Sequence, residues 1–224
     1  MTIQAVAATP PFPQVTVITT SGAGSVTAPV GATRVTVEAI GGGGNGFGSS
    51  TGAQRAGGGG GRFARTINLD VTGGTTIVYY SVGAASTVSW VNVGTNANPS
   101  SATTGCRAPP GSDGASGVAG NGTSGTAIGT VTADGATATT GVAAVGGGAA
   151  GAGATIAGAG TAGSGQTAGT DTTGMSLSTQ LMGDGSGQGI NVGGAIPGGG
   201  GGGGSAAATN PAGAIGRVRI TFYG

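Results

Sequence analysis

The sequence Arg34-Val-Thr-Val-Glu-Ala-Ile40 runs without a break into the glycine run Gly41-Gly-Gly-Gly44. Its first part alternates apolar and polar side chains, so it has two distinct faces: Val35, Val37 and Ala39 against Arg34, Thr36 and Glu38. This period of two predicts a half-buried β-strand. The glycine run is a poor continuation of a strand, and we interpret it, like the runs at 57–61 and 198–204, as a point of close backbone approach or a flexible turn.

Five further stretches have the length and β-branched or alternating composition of strands: 14–20, 62–71, 75–82, 87–93 and 217–223. In the last of them we expect Val218, Ile220 and Phe222 to point inward and both arginines to point outward. No stretch shows a convincing 3.6-residue apolar period. The sequence therefore predicts an all-β fold, a small β-sandwich or jelly-roll-like module made of the N-terminal strands and the C-terminal strand. Its predicted core combines large apolar residues from both groups: Val35, Val37, Phe63, Ile67, Tyr79, Trp90, Ile220 and Phe222.

The centre of the chain has a different composition. Of the 224 residues 56 are Gly, the net charge is +1, and no aromatic residue occurs between Trp90 and Phe222. So much Gly usually indicates a disordered chain. Disorder usually comes with high net charge, however, and only 6% of these residues are charged. We therefore expect an ordered centre, with a disordered one as the alternative.

A local repeat indicates how that centre is ordered. Gly111, Gly114, Gly117 and Gly120 follow one another at a period of three, which is the period of a polyproline-II helix. Such helices have no internal hydrogen bonds and must bond to their neighbours. We predict polyglycine-type helices in a large Gly-rich insertion. The predicted organisation is an extended Pro-rich arm at 1–13, a strand module at 14–93, the Gly-rich region at 94–214 and a closing strand at 215–224.

The composition argues against catalysis, because the chain has neither His nor Lys. Gly41, Gly43 and Gly46 fit the G-x-G-x-x-G pattern of a dinucleotide site, but such a site needs a following helix and an acidic residue about 20 positions on. The sequence 48–52 fits G-x-S-x-G with Ser50 as nucleophile, but that chemistry uses a His base. We predict no catalytic residue, no cofactor and no enzymatic activity.

Metal and disulfide sites also lack support. Asp113, Asp134 and Asp184 each precede Gly and are widely separated in the sequence. Calcium needs several closely spaced oxygen ligands, so turns are the better explanation for these three residues. Cys106 is the only cysteine. It cannot form an intrachain disulfide, and we interpret it as a small buried filler.

The basic residues do not form a convincing nucleic-acid site. Arg55, Arg62 and Arg65 make a loose cluster that could contact phosphates, but six acidic residues balance the seven arginines. We interpret these arginines as outward-facing charges that keep strand edges soluble, and we expect no nucleic-acid partner.

No targeting segment is recognisable in the sequence. The N-terminus MTIQAVAATPPFPQV has no basic region followed by an apolar run, as a signal peptide would. The two longest uncharged stretches, 71–106 and 135–170, are too weakly apolar to predict transmembrane helices. We expect a protein that is made and folded in the cytosol and is not inserted in a membrane.

One stretch of the chain is Ser21-Gly-Ala-Gly-Ser-Val-Thr-Ala-Pro-Val-Gly-Ala-Thr-Arg-Val-Thr-Val-Glu-Ala-Ile-Gly-Gly-Gly-Gly44. It resembles the glycine-rich domain of bacteriophage virion proteins, notably tail fibres. Members of that family show a short strand, a Pro-x-Gly turn (here Pro29 and Gly31), an alternating Val strand and a Gly run. A second Gly run at 57–61, an aromatic-led strand after it and a terminal strand at 216–222 continue the pattern. The resemblance covers 14–83 and 195–224 in order. The stretch 79–85 departs from it, because the paired glycines of the family's strand-ending turn are missing.

The resemblance implies virion architecture and host-surface attachment, and it carries over no catalytic residue. We therefore expect a non-enzymatic virion structural protein, a tail-fibre or receptor-binding component that displays a Gly-rich surface for host attachment. The alternatives are a capsid spike, head fibre or decoration protein, and a free ice- or carbohydrate-binding protein. The expected partners are copies of the same chain (a trimer is favoured), other virion proteins bound through residues 1–13, and a host-surface glycan or protein.

Overall fold

The computed structural model describes residues 11–48, 55–138, 140, 194, 197–201 and 210–224. In these residues the regular secondary structure consists of β-strands, with no helix. The all-β prediction is therefore confirmed. The nine strands are β1 Gln14–Ile18, β2 Gly22–Thr27, β3 Arg34–Ile40, β4 Phe63–Asp70, β5 Ile77–Val82, β6 Ser89–Val93, β7 Gly105–Ala108, β8 Val131–Ala133 and β9 Arg217–Tyr223.

The strands form two antiparallel sheets, a five-stranded one in the order β1-β9-β3-β4-β8 and a four-stranded one in the order β2-β5-β6-β7. The C-terminal strand β9 lies between β1 and β3, so that Phe222 is opposite Gln14 on one side and Val35 on the other. This pairing joins the two ends of the chain as the sequence predicted. Strands β7 and β8 come from the range 94–214, in which no strand was predicted.

The core lies between the two sheets and is built mainly from aliphatic side chains. Val35, Val37, Ile220 and Phe222 of the five-stranded sheet are buried there, as predicted. The four-stranded sheet contributes several buried aliphatic residues to the same cluster, among them Val78, Val82 and Val91. Burial of each large apolar side chain contributes about 1.5–3 kcal/mol. The fold is thus a β-sandwich closed by its last strand.

Ile67 was predicted in the core but is 42% exposed. The cause is an extra residue in β4: Val35 is opposite Leu69 and Val37 is opposite Thr66, so the register shifts between them. Asn68 takes up the shift with a φ of 56°. The irregularity exchanges the two faces of β4, which leaves Ile67 outside the core.

Phe63, which precedes the shift in β4, is buried but lies outside the main core. It packs with Ile40 and Ala133 in a second, smaller cluster. Ile40 and Phe63 are paired across β3 and β4, on the face of the five-stranded sheet that points away from the other sheet. Both faces of this sheet therefore carry buried apolar side chains.

Tyr79 and Trp90 were also predicted in the core, and this prediction was wrong, because both are only half-buried. They alternate with Val78, Val82 and Val91, which are buried between the sheets. In β5 the inward aromatic residue is Tyr80, which packs close against Gly24 of β2. Tyr79 and Trp90 thus belong to the outer face of the four-stranded sheet.

Two of the three residues on the polar face of β3, Thr36 and Glu38, are buried, contrary to the expectation for an amphipathic strand, whereas Arg34 is exposed. Glu38 is fully buried and is opposite Arg219 of β9 and Arg65 of β4. Arg219 forms an ion pair with Glu38 and is itself only 6% exposed. Both arginines of β9 point away from the main core, as expected, but Arg219 is buried on that side rather than exposed. Its charge is neutralised inside the protein.

Glycine-rich segments leave one end of the sandwich and pack against one another. We call them the glycine lattice and define it as residues 41–47, 56–62, 109–114, 197–201 and 211–216. Segment 41–47 hydrogen-bonds to all four other segments, and its bonds to three of them form regular sets of backbone groups. The bonds to 56–62 recur at every third residue: Gly41 N to Arg62 O, Gly44 N to Gly59 O and Phe47 N to Ala56 O, at 2.9, 2.8 and 2.7 Å.

The bonds to 211–216 start at Gly43, and the bonds to 109–114 start at Gly42. Gly43 N and Gly46 N bond to Ala214 O and Pro211 O, both at 2.8 Å. The carbonyls of Gly42 and Asn45 accept from the amides of Gly111 and Gly114, at 2.9 and 2.8 Å. Bonds to successive neighbours with a repeat of three are the pattern of packed polyproline-II helices. The lattice therefore has the hydrogen-bond period expected of polyglycine-type helices.

Close backbone approach explains why this lattice requires glycine. A Cβ atom on Gly44 or Gly58 would lie under 3.0 Å from a backbone carbonyl of a neighbouring segment, closer than real Cβ contacts. The same holds at Gly111, Gly114 and Gly120 of the predicted repeat. Gly117 differs, because it has a φ of 70° in the turn between Ala115 and Val118.

The lattice grows directly out of both sheets. Segment 41–47 follows β3, 56–62 precedes β4, 109–114 follows β7 and 211–216 precedes β9. The runs at 41–44 and 57–61 are therefore points of close approach, as one of the two interpretations proposed. Much of the predicted Gly-rich region, including 141–193, lies outside the described residues, as do residues 1–10 of the arm and 202–204 of the last glycine run.

Candidate functional site

The G-x-G-x-x-G glycines are part of the lattice and do not form a phosphate site. The amides of Gly41, Gly43 and Gly46 donate to the carbonyls of Arg62, Ala214 and Pro211. A pyrophosphate would need free amides at the start of a helix. Here the amides are occupied by protein carbonyls, and Phe47, which follows the motif, continues the lattice.

The two Asp-Gly positions that the structure describes have separate roles. Asp113 accepts a hydrogen bond from the amide of Asn45 at 2.7 Å, and Asp134 forms an ion pair with Arg62. Asp184 lies outside the described residues, as does Ser50 of the G-x-S-x-G sequence. Within the described ranges no group of three or more His, Cys, Asp or Glu residues could hold a metal ion.

Asn45 joins three parts of the lattice and its surroundings. Its side-chain Nδ2 donates to Ser86 Oγ at 3.0 Å, and its Oδ1 accepts from the amide of Gly213 at 3.0 Å. Its backbone bonds to Asp113 and Gly114. Ser86 also contacts Asp113, and its own φ is 57°. All polar groups of Asn45 are used within the protein, so this cluster is a structural junction.

The predicted arginine cluster is not a single basic patch. Arg62 pairs with Asp134, whereas Arg65 lies 3.6 Å from Glu38 (Nε to Oε1). Both arginines, and also Arg55, are half-buried. The interpretation of Arg62 and Arg65 as simple outward charges is therefore wrong, because acidic partners hold them against the protein.

Cys106 is buried in the main core, as expected for a small filler. Burial, reinforced by the negative charge of Glu38, raises the pKa of the Cys106 thiol well above its usual range. The thiol therefore stays protonated, and a protonated buried thiol is unreactive.

A different surface has the features of a binding site. We call it the aromatic face and define it as Tyr79 of β5, Trp90 of β6 and Arg107 of β7; Asn92 of β6 lies beside it but is buried and donates to the carbonyl of Ala97. Tyr79 is opposite Asn92, and Trp90 is opposite Arg107, in the antiparallel register of the four-stranded sheet. Directly opposite residues share one face and have Cβ atoms about 4.5–5.5 Å apart. The register thus brings the chain's single tryptophan beside an arginine.

The environment of Arg107 is unusual for a charged residue. Its side chain is half-buried, and its Nε is shielded from water without a hydrogen-bond partner. No ion pair or side-chain hydrogen bond links Arg107 to any residue that the structure describes. The four described acidic residues are engaged elsewhere: Glu38 with Arg219 and Arg65, Asp70 with Arg34, Asp134 with Arg62, and Asp113 with Asn45.

The neighbours of the aromatic rings on the outer strands are small. Trp90 is opposite Ser81, which is opposite Ala23 of β2, and Tyr79 is opposite Ser25 of the same edge strand. Ala23 and Ser25 are exposed. Sequence reasoning missed this face because the alternation in β5 and β6 fits two opposite orientations. The signal that could have selected the right one is the valines at 78, 82 and 91, which need burial more than Tyr and Trp do.

Comparison with known proteins identifies no family model and no curated protein that matches this chain. The stretches that the structure describes contain no helix with the length and hydropathy needed to cross a membrane.

Proposed function

We propose that this protein is a non-enzymatic structural component of a bacteriophage virion, of the tail-fibre or receptor-binding type. The observation that supports this best is the glycine lattice that continues directly from the sandwich. Its order comes from backbone hydrogen bonds between segments, so it is a stiff extension that needs neither disulfides nor a second core. A stiff display body on a folded base is what an attachment protein requires, and the same combination carries the sequence resemblance described above.

The sheet edges support assembly into a homo-oligomer, with a trimer favoured. In the described part of the chain, β1 and β2 each pair with a strand on one side only. Neither Gln14–Ile18 nor Gly22–Thr27 contains a charged residue. Monomeric proteins usually protect such edges with charges, proline or bulges. Two uncharged edges therefore favour pairing with further copies of the chain, and we expect residues 1–13 to dock on another virion protein.

The location in the particle tests this proposal. Antibodies against the purified protein should label the tail or its fibres in negatively stained particles, and the purified protein should compete with particles for adsorption to host cells. Labelling of the capsid would instead favour the spike, head-fibre or decoration alternative. If particles carried no label and contained no such chain by mass spectrometry, the proposal would be wrong.

A further inference from the structure

The aromatic face combines two features that a purely structural surface does not need. Trp90 and Tyr79 are half-buried on the outer side of a sheet whose inner side already supplies the core. Arg107, directly opposite Trp90, has no anionic partner in the described residues. An unpaired guanidinium held in a half-buried position is costly unless something neutralises it.

We propose that the aromatic face binds an anionic saccharide, whose sugar ring stacks on Trp90 and whose carboxylate or phosphate pairs with Arg107. This deepens the proposed function by naming a ligand class, and it rests on that function only for the biological source of the sugar.

The chemistry of the two side chains fits this ligand. One side of a pyranose ring presents several C–H groups, which pack against the face of an indole, while its hydroxyls stay in water. The guanidinium offers parallel N–H donors that match the two oxygens of a carboxylate or phosphate. Trp90 and Arg107 are cross-strand neighbours, so one acidic sugar can reach both.

The neighbours of Trp90 towards β5 and β2 are small, whereas on the β7 side Arg107 is itself bridged to Ile128. Ser81, the neighbour of Trp90 on β5, is small, and Ala23 and Ser25 on the edge strand β2 are small and exposed. No large side chain from these two strands stands beside the indole except Tyr79, which is its diagonal neighbour. Tyr79 therefore extends the stacking surface towards a second sugar unit.

Other occupants fit less well. A nucleic acid would need several phosphate contacts, and Arg107 is the single arginine that the described part of β5, β6 and β7 presents here. A stable protein partner would cover about 800 Å² on each side. A patch with two aromatic rings and one arginine is closer to the size of one or two sugar units.

Trp90 is the only tryptophan in the chain, so its fluorescence reports directly on this face. The purified full-length protein is titrated with a carboxylated oligosaccharide (oligogalacturonate), a phosphorylated oligosaccharide and the neutral counterpart of each. We expect a saturable change in Trp90 emission with at least one acidic sugar, and binding of its neutral counterpart about tenfold weaker or more. The acidic oligosaccharide that produces the change identifies the anion as a carboxylate or a phosphate. Equal binding of acidic and neutral sugars, or no response to either acidic sugar, would overturn the proposal.

Variants separate the two contacts. Arg107→Gln should lower the affinity for the acidic sugar to that of its neutral counterpart, a loss of about tenfold. Arg34→Gln, which removes an exposed arginine from the other sheet, should leave binding unchanged. If Arg107→Gln does not keep the wild-type thermal midpoint, Arg107→Lys replaces it and should retain the acidic preference at reduced affinity. Unchanged acidic preference in a folded Arg107→Gln protein would contradict the assignment.

The stacking contact is tested by calorimetry, because its variants lose the fluorophore. Trp90→Phe should keep measurable binding and Trp90→Ala should abolish it. Inorganic phosphate that bound as tightly as the oligosaccharide would overturn the stacking contact. If light scattering showed instead that Trp90→Ala dissociates an oligomer, the face would be a subunit contact and the glycan proposal would fail. These measurements use isolated protein, so their failure leaves the particle-labelling result unaffected.

Discussion

The carboxylate of Glu38 and the guanidinium of Arg219 lie opposite each other on β3 and β9, and both are shut off from water. The two residues are 181 positions apart in the sequence. Their ion pair therefore ties an early strand to the closing strand. Arg65 approaches Glu38 from the other side, so that one buried acid lies between two arginines.

Glu38→Gln should be strongly destabilising, because it leaves Arg219 buried without its anion. Removing one partner of a buried ion pair typically costs about 3–5 kcal/mol, which should appear in urea unfolding followed by fluorescence. The matched control is Asp70→Asn, which breaks the exposed pair with Arg34 in the same sheet. Exposed pairs contribute about 1 kcal/mol or less. Similar small losses in both variants would show that Glu38 and Arg219 are not isolated from solvent.

Gly58→Ala tests whether the lattice is ordered by backbone contact. The added Cβ would collide with the carbonyl of Gly44, and overpacking of this kind costs about 1–3 kcal/mol. In the control Gly94→Asn, the glycine has a φ of 78° and open space around it. Asn tolerates this conformation, so the change should stay within about 0.5 kcal/mol. If the Gly94→Asn protein were less stable than the Gly58→Ala protein, the packed lattice would be refuted.

Ile220→Ala and Ile67→Ala compare a core residue of β9 with the residue that the register shift leaves outside the core in β4. Ile220 is fully buried and Ile67 is 42% exposed. We expect a loss of about 2–5 kcal/mol for the first and about 0.5 kcal/mol for the second, measured by chemical denaturation. Equal losses would mean that β4 has no extra residue at Ile67-Asn68 and that Ile67 does enter the core.

Cys106 should make the protein less stable in alkaline solution. Its pKa is raised in the folded state by burial, whereas in the unfolded chain it is about 8.5. Above that pH the unfolded chain releases a proton that the folded protein retains, so the free energy of unfolding falls as the pH rises. The slope should reach about 1.4 kcal/mol per pH unit.

The control for this effect is Cys106→Ala, measured over the same range from about pH 8 to 10. Whatever the stability of this variant at neutral pH, the dependence of its free energy of unfolding on pH should lack the thiol contribution. Parallel slopes in the two proteins would show that Cys106 titrates normally in the folded state.

Local pattern was sufficient to predict the strands that dominate the sandwich. The alternation at 34–40 gave the bounds of β3, and 217–223 gave those of β9. Strands β2, β7 and β8 were missed because they are short or rich in small residues, and their pairing partners supply the order. Local composition carries little information about strands that exist through tertiary contacts.

The orientation errors have a different origin. An inserted residue at Asn68 changes which side chains face inward, and a periodic pattern read from either end of β4 cannot place it. Asn is one of the few residues that accept a positive φ, so the Ile67-Asn68 pair held a weak signal. The aromatic face was missed for a related reason, since ranking Tyr79 and Trp90 by size alone assigned them to the core.

The three-residue hydrogen-bond pattern of the lattice gives the folded protein an unusual optical signature. Polyproline-II geometry is also a major conformation of unfolded chains, and far-ultraviolet circular dichroism is sensitive mainly to backbone geometry. The lattice should therefore contribute the spectrum of a denatured polypeptide even while every segment is in place. Unfolding should therefore change the backbone spectrum mainly through the loss of the nine strands, while loss of the lattice itself changes that spectrum little, so an ordered part of the molecule would be mistaken for random coil.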